Sequence, residues 1–174
     1  MFSLFFYMTT STAITPAPVL PLVLFENEFV AALTEIFEEK IVFNRLLGLK
    51  VTSVLPDRVT ARLQMRPELI GHYAHNRIHG GAISAALDAL GGLAVMAAIA
   101  ARHMDESPLQ RLHRFTKLGT IDLRVDYLRP GIGEVFDLSA EVLRLGSRVA
   151  STRMEFRGTD TKLLSTGAAA YIVS

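Results

Sequence analysis

The spacing of apolar residues predicts a helix followed by two strands in the first part of the chain. Between residues 25 and 47, apolar side chains recur at intervals of three and four while charged ones fill the other positions, which is typical of an amphipathic helix. We expect this helix to end before Gly48. Alternating segments at 49–55 and 58–65 then predict two strands joined by a turn at Pro56-Asp57.

A long apolar run in the middle of the chain predicts a central helix. The run extends from residue 82 to residue 101 and carries one acid, Asp88. A loop over 68–78 leads into it, and we expect the helix to span about 80 to about 103. The run has the length of a membrane span, but a soluble core helix that is apolar on all sides better explains Ser84, Asp88 and the strands that follow. Stable membrane insertion is therefore not expected.

The remainder of the chain predicts a series of antiparallel strands. Residues 104–116 are polar and rich in basic side chains, which indicates a loop. Four segments of alternating apolar and polar residues follow, at 120–128, 134–145, 148–157 and 162–173. Turns separate these segments. Strands that follow one central helix indicate the α+β class, with a helix packed on an antiparallel sheet.

Composition limits the classes of function that fit the chain. Its 174 residues, half of them hydrophobic, suit one domain with a substantial core. The formal net charge is +1, so no general field favours nucleic acid as a partner. The chain has no cysteine, which removes disulfides and thiolate chemistry and is compatible with the cytoplasmic location that we expect.

The first 25 residues are predicted to be a flexible N-terminal extension, and residues 26–174 a single domain. The opening segment, MFSLFFYM, is apolar but short, and no Lys or Arg precedes Lys40, so the basic start of a signal peptide is missing. A proline-containing linker follows it. One hypothesis is that Met8 is the native start, which mass spectrometry of the native protein would test.

The turn that opens the central helix carries the strongest indication of chemistry. The sequence there is Ile78-His79-Gly80-Gly81, and Asp88 lies nine residues after the histidine. Unpaired backbone N–H groups and the helix dipole favour negative charge at a helix start. A carboxylate among apolar residues is costly unless it is paired or used. The pattern predicts a site that stabilises an oxyanion beside an acid or base; the alternative for Asp88 is pairing with Arg124 or Arg153.

These residues resemble the PaaI-like acyl-CoA thioesterases of the hotdog superfamily. The resemblance lies in the His-Gly-Gly turn with Asp88 nine residues on, in the strand from Thr120 to Pro130 and in the final strand from Ser165 to Tyr171. It implies the hotdog fold, in which a curved antiparallel sheet wraps a long central helix. It also implies hydrolysis of acyl-CoA thioesters, and an apolar crevice between helix and sheet would favour medium, long or aryl acyl groups.

The resemblance assigns a role to each residue of the expected site. Asp88 corresponds to the general base or nucleophile. The amides of Gly80 and Gly81 correspond to the donors that polarise the thioester carbonyl. His79 helps to shape that turn, and the Thr120 hydroxyl holds the water.

One departure from the family pattern concerns a second donor to the carbonyl. Many relatives have an asparagine six or seven residues before the histidine, where this chain has Tyr73 and His72. His72 is one candidate replacement, because an imidazole can donate a hydrogen bond. Asn76, three residues before the histidine, is the other, through a shifted loop.

The spacing of His79 and Asp88 favours a site shared between two chains. Nine helical residues turn through about 900° and rise about 13 Å, which places Asp88 opposite His79 and far along the axis. A two-fold partner would bring its own Asp88 to the Gly80-Gly81 turn and create two equivalent sites. The resemblance likewise implies paired sheets with active sites at the interface, so we expect a homodimer or a dimer of dimers.

Basic residues around the 104–116 segment are candidates for binding the phosphates of coenzyme A. Guanidinium groups suit phosphate oxygens, whereas the alternative is a solvated, charge-rich loop. No cofactor is expected apart from the CoA of the substrate. The candidates are Arg102, Arg111, Arg114, Lys117 and Arg129.

Three other interpretations fit less of the sequence. His72, His75 and His79 have a spacing that invites a metal site, but no Cys or Glu follows at ligand spacing, so no metal is expected. A hotdog hydratase or dehydratase would carry an acid–histidine motif that is not visible here. A non-catalytic module that binds acyl thioesters would retain its ligand unchanged.

Overall fold

The computed structural model describes residues 24–174, and these form one long helix against a six-stranded antiparallel sheet. The predicted N-terminal extension therefore lies almost wholly outside the described residues. The elements are α1 (Asn27–Glu35), α2 (Val42–Leu47), β1 (Leu49–Val54), β2 (Arg58–Gln64), β3 (Ile70–His72), β4 (Arg77–Ile78), α3 (Gly80–Ala101), α4 (Pro108–His113), β5 (Gly119–Tyr127), β6 (Val135–Leu145), β7 (Val149–Gly158) and β8 (Leu163–Ile172).

The large sheet confirms the predicted α+β class and the hotdog arrangement. Its strand order is β1-β2-β6-β7-β8-β5, and every neighbouring pair is antiparallel. Alternate side chains of each strand point to one face of a sheet, and those on the helix side form the core. In β7 these buried positions are Ala150, Thr152, Met154 and Phe156.

The central helix is buried as the apolar run predicts. Six consecutive residues, Leu90–Val95, are buried, so little of the helix surface over this stretch faces solvent. By length and composition the helix is apolar enough to cross a membrane, with a mean hydropathy of 1.9. In this fold it packs against strands β2, β5, β6, β7 and β8 instead.

The predicted helix over 25–47 is two helices rather than one. A π-helical turn, Ile36–Lys40, follows α1, and the backbone leaves the helical region at Ile41 with φ −79° and ψ 94°. The Asn44 amide nitrogen donates to the carbonyl oxygen of Phe37 over 3.0 Å, which ties α2 back to this turn. Both α1 and α2 bury apolar residues, so apolar side chains recur at intervals of three and four on both sides of the bend.

Two predicted loops contain regular structure. The 104–116 segment holds α4, which Ser107 and Gln110 cap reciprocally and which begins at Pro108; this is the sequence signature of a capping box with proline at the first position. The 68–78 segment holds the β3–β4 hairpin, in which Asn76 adopts the left-handed conformation at φ 46°. Such short elements depend on caps and turns rather than on apolar periodicity.

Strand β5 forms one edge of the sheet. It pairs with β8 on one side, and among the described residues no strand pairs with its other side. Ile121 and Tyr127 on this strand are more than half exposed. An edge strand with free backbone groups and exposed apolar side chains is a template for pairing with another chain.

Candidate active site

Asp88 is half-buried on α3 and accepts hydrogen bonds from neutral hydroxyl groups. Its Oδ1 atom lies 2.9 Å from Oγ1 of Thr120 and 3.2 Å from the hydroxyl of Tyr171. The alternative pairing of Asp88 with an arginine is not found, because Arg124 pairs with Asp126 and Arg153 with Glu141. These hydroxyl groups therefore position the carboxylate without neutralising its negative charge.

Tyr171 is a member of this cluster that sequence reasoning missed. The side chain is only 1% exposed, and its hydroxyl also lies 2.9 Å from the backbone oxygen of Asp88. Burial, followed by the charge of Asp88 and the hydrogen bond to it, raises the pKa of Tyr171. The phenol thus stays protonated and remains a donor to the carboxylate.

Asp88 lines an apolar groove of about 310 Å³. Its lining comes from four parts of the chain, namely the N-terminal helices, one face of α3, the start of β5 and the end of β8. Besides Asp88, Thr120 and Tyr171, the groove is lined by Phe37, Ile41, Phe43, Asn44, Ala85, Ala89, Gly92, Met96, Leu118 and Gly119. An apolar groove with few polar groups at one point is the usual form of a small-molecule site.

The start of α3 supplies the second part of the predicted site. His79 caps the helix, and its Nδ1 atom accepts the N–H of Gly81 over 2.8 Å. The N–H groups of Ala82 and Ile83 bond to the carbonyl oxygen of His79. Among the described residues, Gly80 therefore has the one first-turn amide that is left without an acceptor. Because Nδ1 accepts, a neutral His79 carries its proton on Nε2.

A cavity of about 510 Å³ adjoins this helix start. Gly80, His79, Arg77 and Arg129 line it together with Tyr127, whose hydroxyl donates to the carbonyl oxygen of Gly80 over 2.9 Å. Amide, imidazole and guanidinium donors converge on this cavity. An anionic or strongly polarised ligand oxygen would be stabilised there.

The two parts of the predicted site lie in different cavities of one chain. The Asp88 groove and the Gly80 cavity share no lining residue within residues 24–174. Eight helical residues separate Gly80 from Asp88, a rise of about 12 Å. This is the separation that the spacing of the motif predicts.

His72 and Asn76, the two candidates for the missing asparagine, do not line the Gly80 cavity. The Nδ1 atom of His72 is buried without a partner among the described residues, and its ring stacks on His75 with centroids 4.8 Å apart. Asn76 is exposed and borders a different depression. Within residues 24–174, no group of three or more His, Asp or Glu side chains is placed to hold a metal ion.

Arg111 does not lie where a phosphate could reach it. Its side chain is fully buried, its guanidinium pairs with Glu26, and it lies 4.5 Å above the ring of Phe29. This arginine holds α4 against α1, so the expectation that it binds phosphate is wrong. The local sequence does not predict this burial, because the ion-pair partner of Arg111, Glu26, lies 85 residues away in the chain.

The other predicted phosphate ligands differ in their surroundings. Arg114 pairs with Glu106, and Arg102 donates to the carbonyl oxygen of Leu145. Arg129 donates to the carbonyl oxygen of Leu163 over 2.8 Å and lines the Gly80 cavity. Arg77, which is not among the predicted phosphate ligands, lines the same cavity.

Comparison with known proteins confirms the family that the motifs indicate. A family model described as the thioesterase superfamily matches residues 75–165. The medium/long-chain acyl-CoA thioesterase YigI of Escherichia coli is 35% identical over 139 residues, which are 80% of this chain and 90% of that protein. A structure from Shewanella oneidensis, of a protein related to the thioesterase superfamily, is 37% identical with a TM-score of 0.79 and covers 84% of this chain and 96% of its own. A structure from Syntrophus aciditrophicus is 35% identical with a TM-score of 0.74, and it covers 84% of this chain and 97% of its own. The chain belongs to the thioesterase superfamily and is a thioester hydrolase.

Proposed function

We propose that the protein hydrolyses medium- or long-chain acyl-CoA to the free acid and CoA, at a site shared between two copies of the chain. The observation that carries the proposal is a carboxylate held by neutral donors at an apolar groove. The name of the Escherichia coli relative supports the same substrate class. The absence of cysteine fits a cytoplasmic location.

The start of α3 would bind the thioester carbonyl. The free N–H of Gly80 donates to the carbonyl oxygen, and the helix dipole favours the charge that develops there. Nε2 of His79, at the same cavity, supplies a second donor. Each donor of this kind is worth about 3–4 kcal/mol in the transition state. Arg129 lines the cavity and would contact the CoA portion of the substrate.

Asp88 would activate the attacking water. The Thr120 hydroxyl donates a hydrogen bond to Asp88, so the threonine oxygen can accept a hydrogen bond from that water. The water oxygen attacks the carbonyl carbon, and Asp88 takes the proton. The carbon–sulfur bond then breaks, and the thiolate leaves without a strong general acid. Direct attack by Asp88, which would give an anhydride that water then hydrolyses, uses the same contacts.

The position of β5 explains how two chains would complete the site. At its first residues, Thr120 contacts Asp88; at its end, Tyr127 contacts Gly80. These points are seven residues apart, or about 23 Å along a strand. If two β5 strands pair antiparallel about a two-fold axis, the start of one lies beside the end of the other. Asp88 of each chain then approaches Gly80 of its partner, and two equivalent sites form.

Mixed dimers test the shared site. One parent carries Asp88→Asn, and the other carries Gly80→Pro, which removes the free N–H at the first helical position, where proline is accepted, with a small adjustment of the Tyr127 ring. We expect each parent to be nearly inactive in thiol release and co-expression of the two to restore activity, since each mixed dimer has one intact site. Mixed dimers isolated with two affinity tags that stay inactive would contradict a shared site. Mass measurement separates a dimer from a dimer of dimers.

A further inference from the structure

The groove at Asp88 has a defined direction along the central helix. Its α3 lining recurs at intervals of three and four, which places it on one helix face, at Ala85, Asp88, Ala89, Gly92 and Met96. Strand β5 runs the opposite way beside it, since Thr120 contacts Asp88 while Leu118 lies next to Gly92. Met96 is thus about 12 Å beyond the carboxylate along the helix axis.

The opposite wall of the groove begins in the fold's core at Phe37 and extends to Phe43, which is 55% exposed. Phe37 is 1% exposed, and Asn44 fixes the position of its backbone oxygen. The bend at Ile41 turns the chain so that Ile41 and Phe43 extend the same wall. The part of the wall that Phe37 forms has little freedom to retreat, so beside it the space in the groove depends on the side chains of α3.

Gly92 leaves space in the middle of this groove. A Cβ atom at position 92 would lie 3.9 Å from the Tyr171 ring and 4.0 Å from a Leu118 methyl carbon, which are ordinary contacts. A Cβ atom on the adjacent Gly91 would instead overlap the Tyr171 hydroxyl. The backbone and the packing therefore require a small residue at position 91 but not at position 92. Glycine in a helix interior also costs stability, so its presence at 92 calls for another reason.

We propose that Gly92 and Met96 determine the acyl-chain length that the enzyme accepts. The inference rests on the proposed function and names the part of the substrate that this groove binds. The reacting carbonyl carbon lies at Asp88, the unbranched acyl chain passes over Gly92, and the chain terminus meets Met96. A larger residue at 92 shortens the groove, and a smaller one at 96 lengthens it.

The test measures kcat/KM for saturated acyl-CoA esters from acetyl to palmitoyl. For the wild type, kcat/KM should rise about fourfold per methylene, equivalent to about 0.8 kcal/mol, until the groove is full. Gly92→Leu should lose this rise, so that its kcat/KM relative to the wild type falls further with each added methylene. Met96→Ala should move the maximum to longer chains. Ala31→Leu, which adds the same side chain at an exposed helical position, is the matched control and should leave the profile unchanged.

Each outcome has a separate meaning. If Gly92→Leu and Met96→Ala both keep the wild-type chain-length profile while thiol is released normally, the assignment of the groove is overturned and the thioesterase activity stands. If the wild type releases thiol from no ester, the proposed function itself fails. Circular dichroism checks folding, and Gly92→Ala with Met96→Ala carries the test if Gly92→Leu does not fold.

Discussion

The hydroxyl of Thr120 donates a hydrogen bond to Oδ1 of Asp88 over 2.9 Å, and this bond joins the edge strand to the middle of the central helix. The threonine sets the position of the carboxylate and leaves its own oxygen free to accept from water. An exposed residue on an edge strand thereby takes part in both the fold and the proposed chemistry.

Replacing Thr120 by valine tests that dual role. Thr120→Val keeps the shape of the side chain and removes the donor. Hydrogen bonds to charged groups contribute about 1.5–3 kcal/mol, so we expect kcat to fall at least about tenfold while KM changes little. Thr120→Ser should restore most of the loss, because it restores the hydroxyl. A valine variant with wild-type kcat would remove Thr120 from the mechanism.

The Gly80 amide can be tested by a pair of substitutions. Gly80→Pro removes the N–H at a position where helices accept proline, whereas Gly80→Ala retains it. Alanine would place a Cβ atom 3.3 Å from the Tyr127 ring, which calls for a small adjustment. We expect the proline variant to lose about 10²–10³ in kcat and the alanine variant to lose far less. Equal rates for the two would exclude this amide as the oxyanion donor.

The adjacent glycines of α3 should respond in opposite ways to alanine. Gly92→Ala should raise the free energy of unfolding by about 0.5–1 kcal/mol, because a helical glycine is replaced without a clash. Gly91→Ala should lower it by about 1–3 kcal/mol, because the added methyl group overpacks the core. It should also lower kcat, since Tyr171 must move away from Asp88. Urea unfolding and thiol release measure both effects, and a shared sign in the stability change would contradict the packing described here.

The Glu26–Arg111 pair should make stability depend on pH. The hydrogen bond from Arg111, more than any other cause, lowers the pKa of Glu26 from its ordinary value of 4.5. A carboxyl group whose folded pKa is lowered stabilises the fold fully above the unfolded value and loses that effect as the pH falls through the folded value. Glu26→Gln should therefore lower the thermal midpoint at neutral pH, with a difference that shrinks in acid. Glu28→Gln, at an exposed position in the first turn of α1, is the control, and a difference that is constant with pH would refute the linkage.

Local patterns account for the parts of the fold and site that could be predicted. The central helix and the six strands of the large sheet are predicted by the spacing of apolar residues. This spacing is a property of neighbouring positions in the sequence and needs no knowledge of distant contacts. The Gly80 turn and Asp88 could be recognised for the same reason, since they lie within one short segment.

Long-range contacts account for most of what could not be predicted. Tyr171 lies 83 residues from Asp88 in the chain. No local sequence pattern predicts which inward-facing strand residue will contact a given residue of the helix. Arg111 lies in a charge-rich segment that resembles a solvated loop, and only packing against Phe29 reveals its burial. The capping box at Ser107 was a local signal, and the surrounding charges obscured it.

The most direct test of the central claim compares thiol release from a medium-chain acyl-CoA by the wild type, Asp88→Asn and Asp57→Asn. Asp57 is an exposed carboxylate in a turn, so its variant controls for the change of charge. We expect the wild type and Asp57→Asn to release thiol at similar rates and Asp88→Asn to be slower by about 10²–10⁴-fold with its fold intact. Release by Asp88→Asn at the wild-type rate would show that Asp88 is not the catalytic carboxylate.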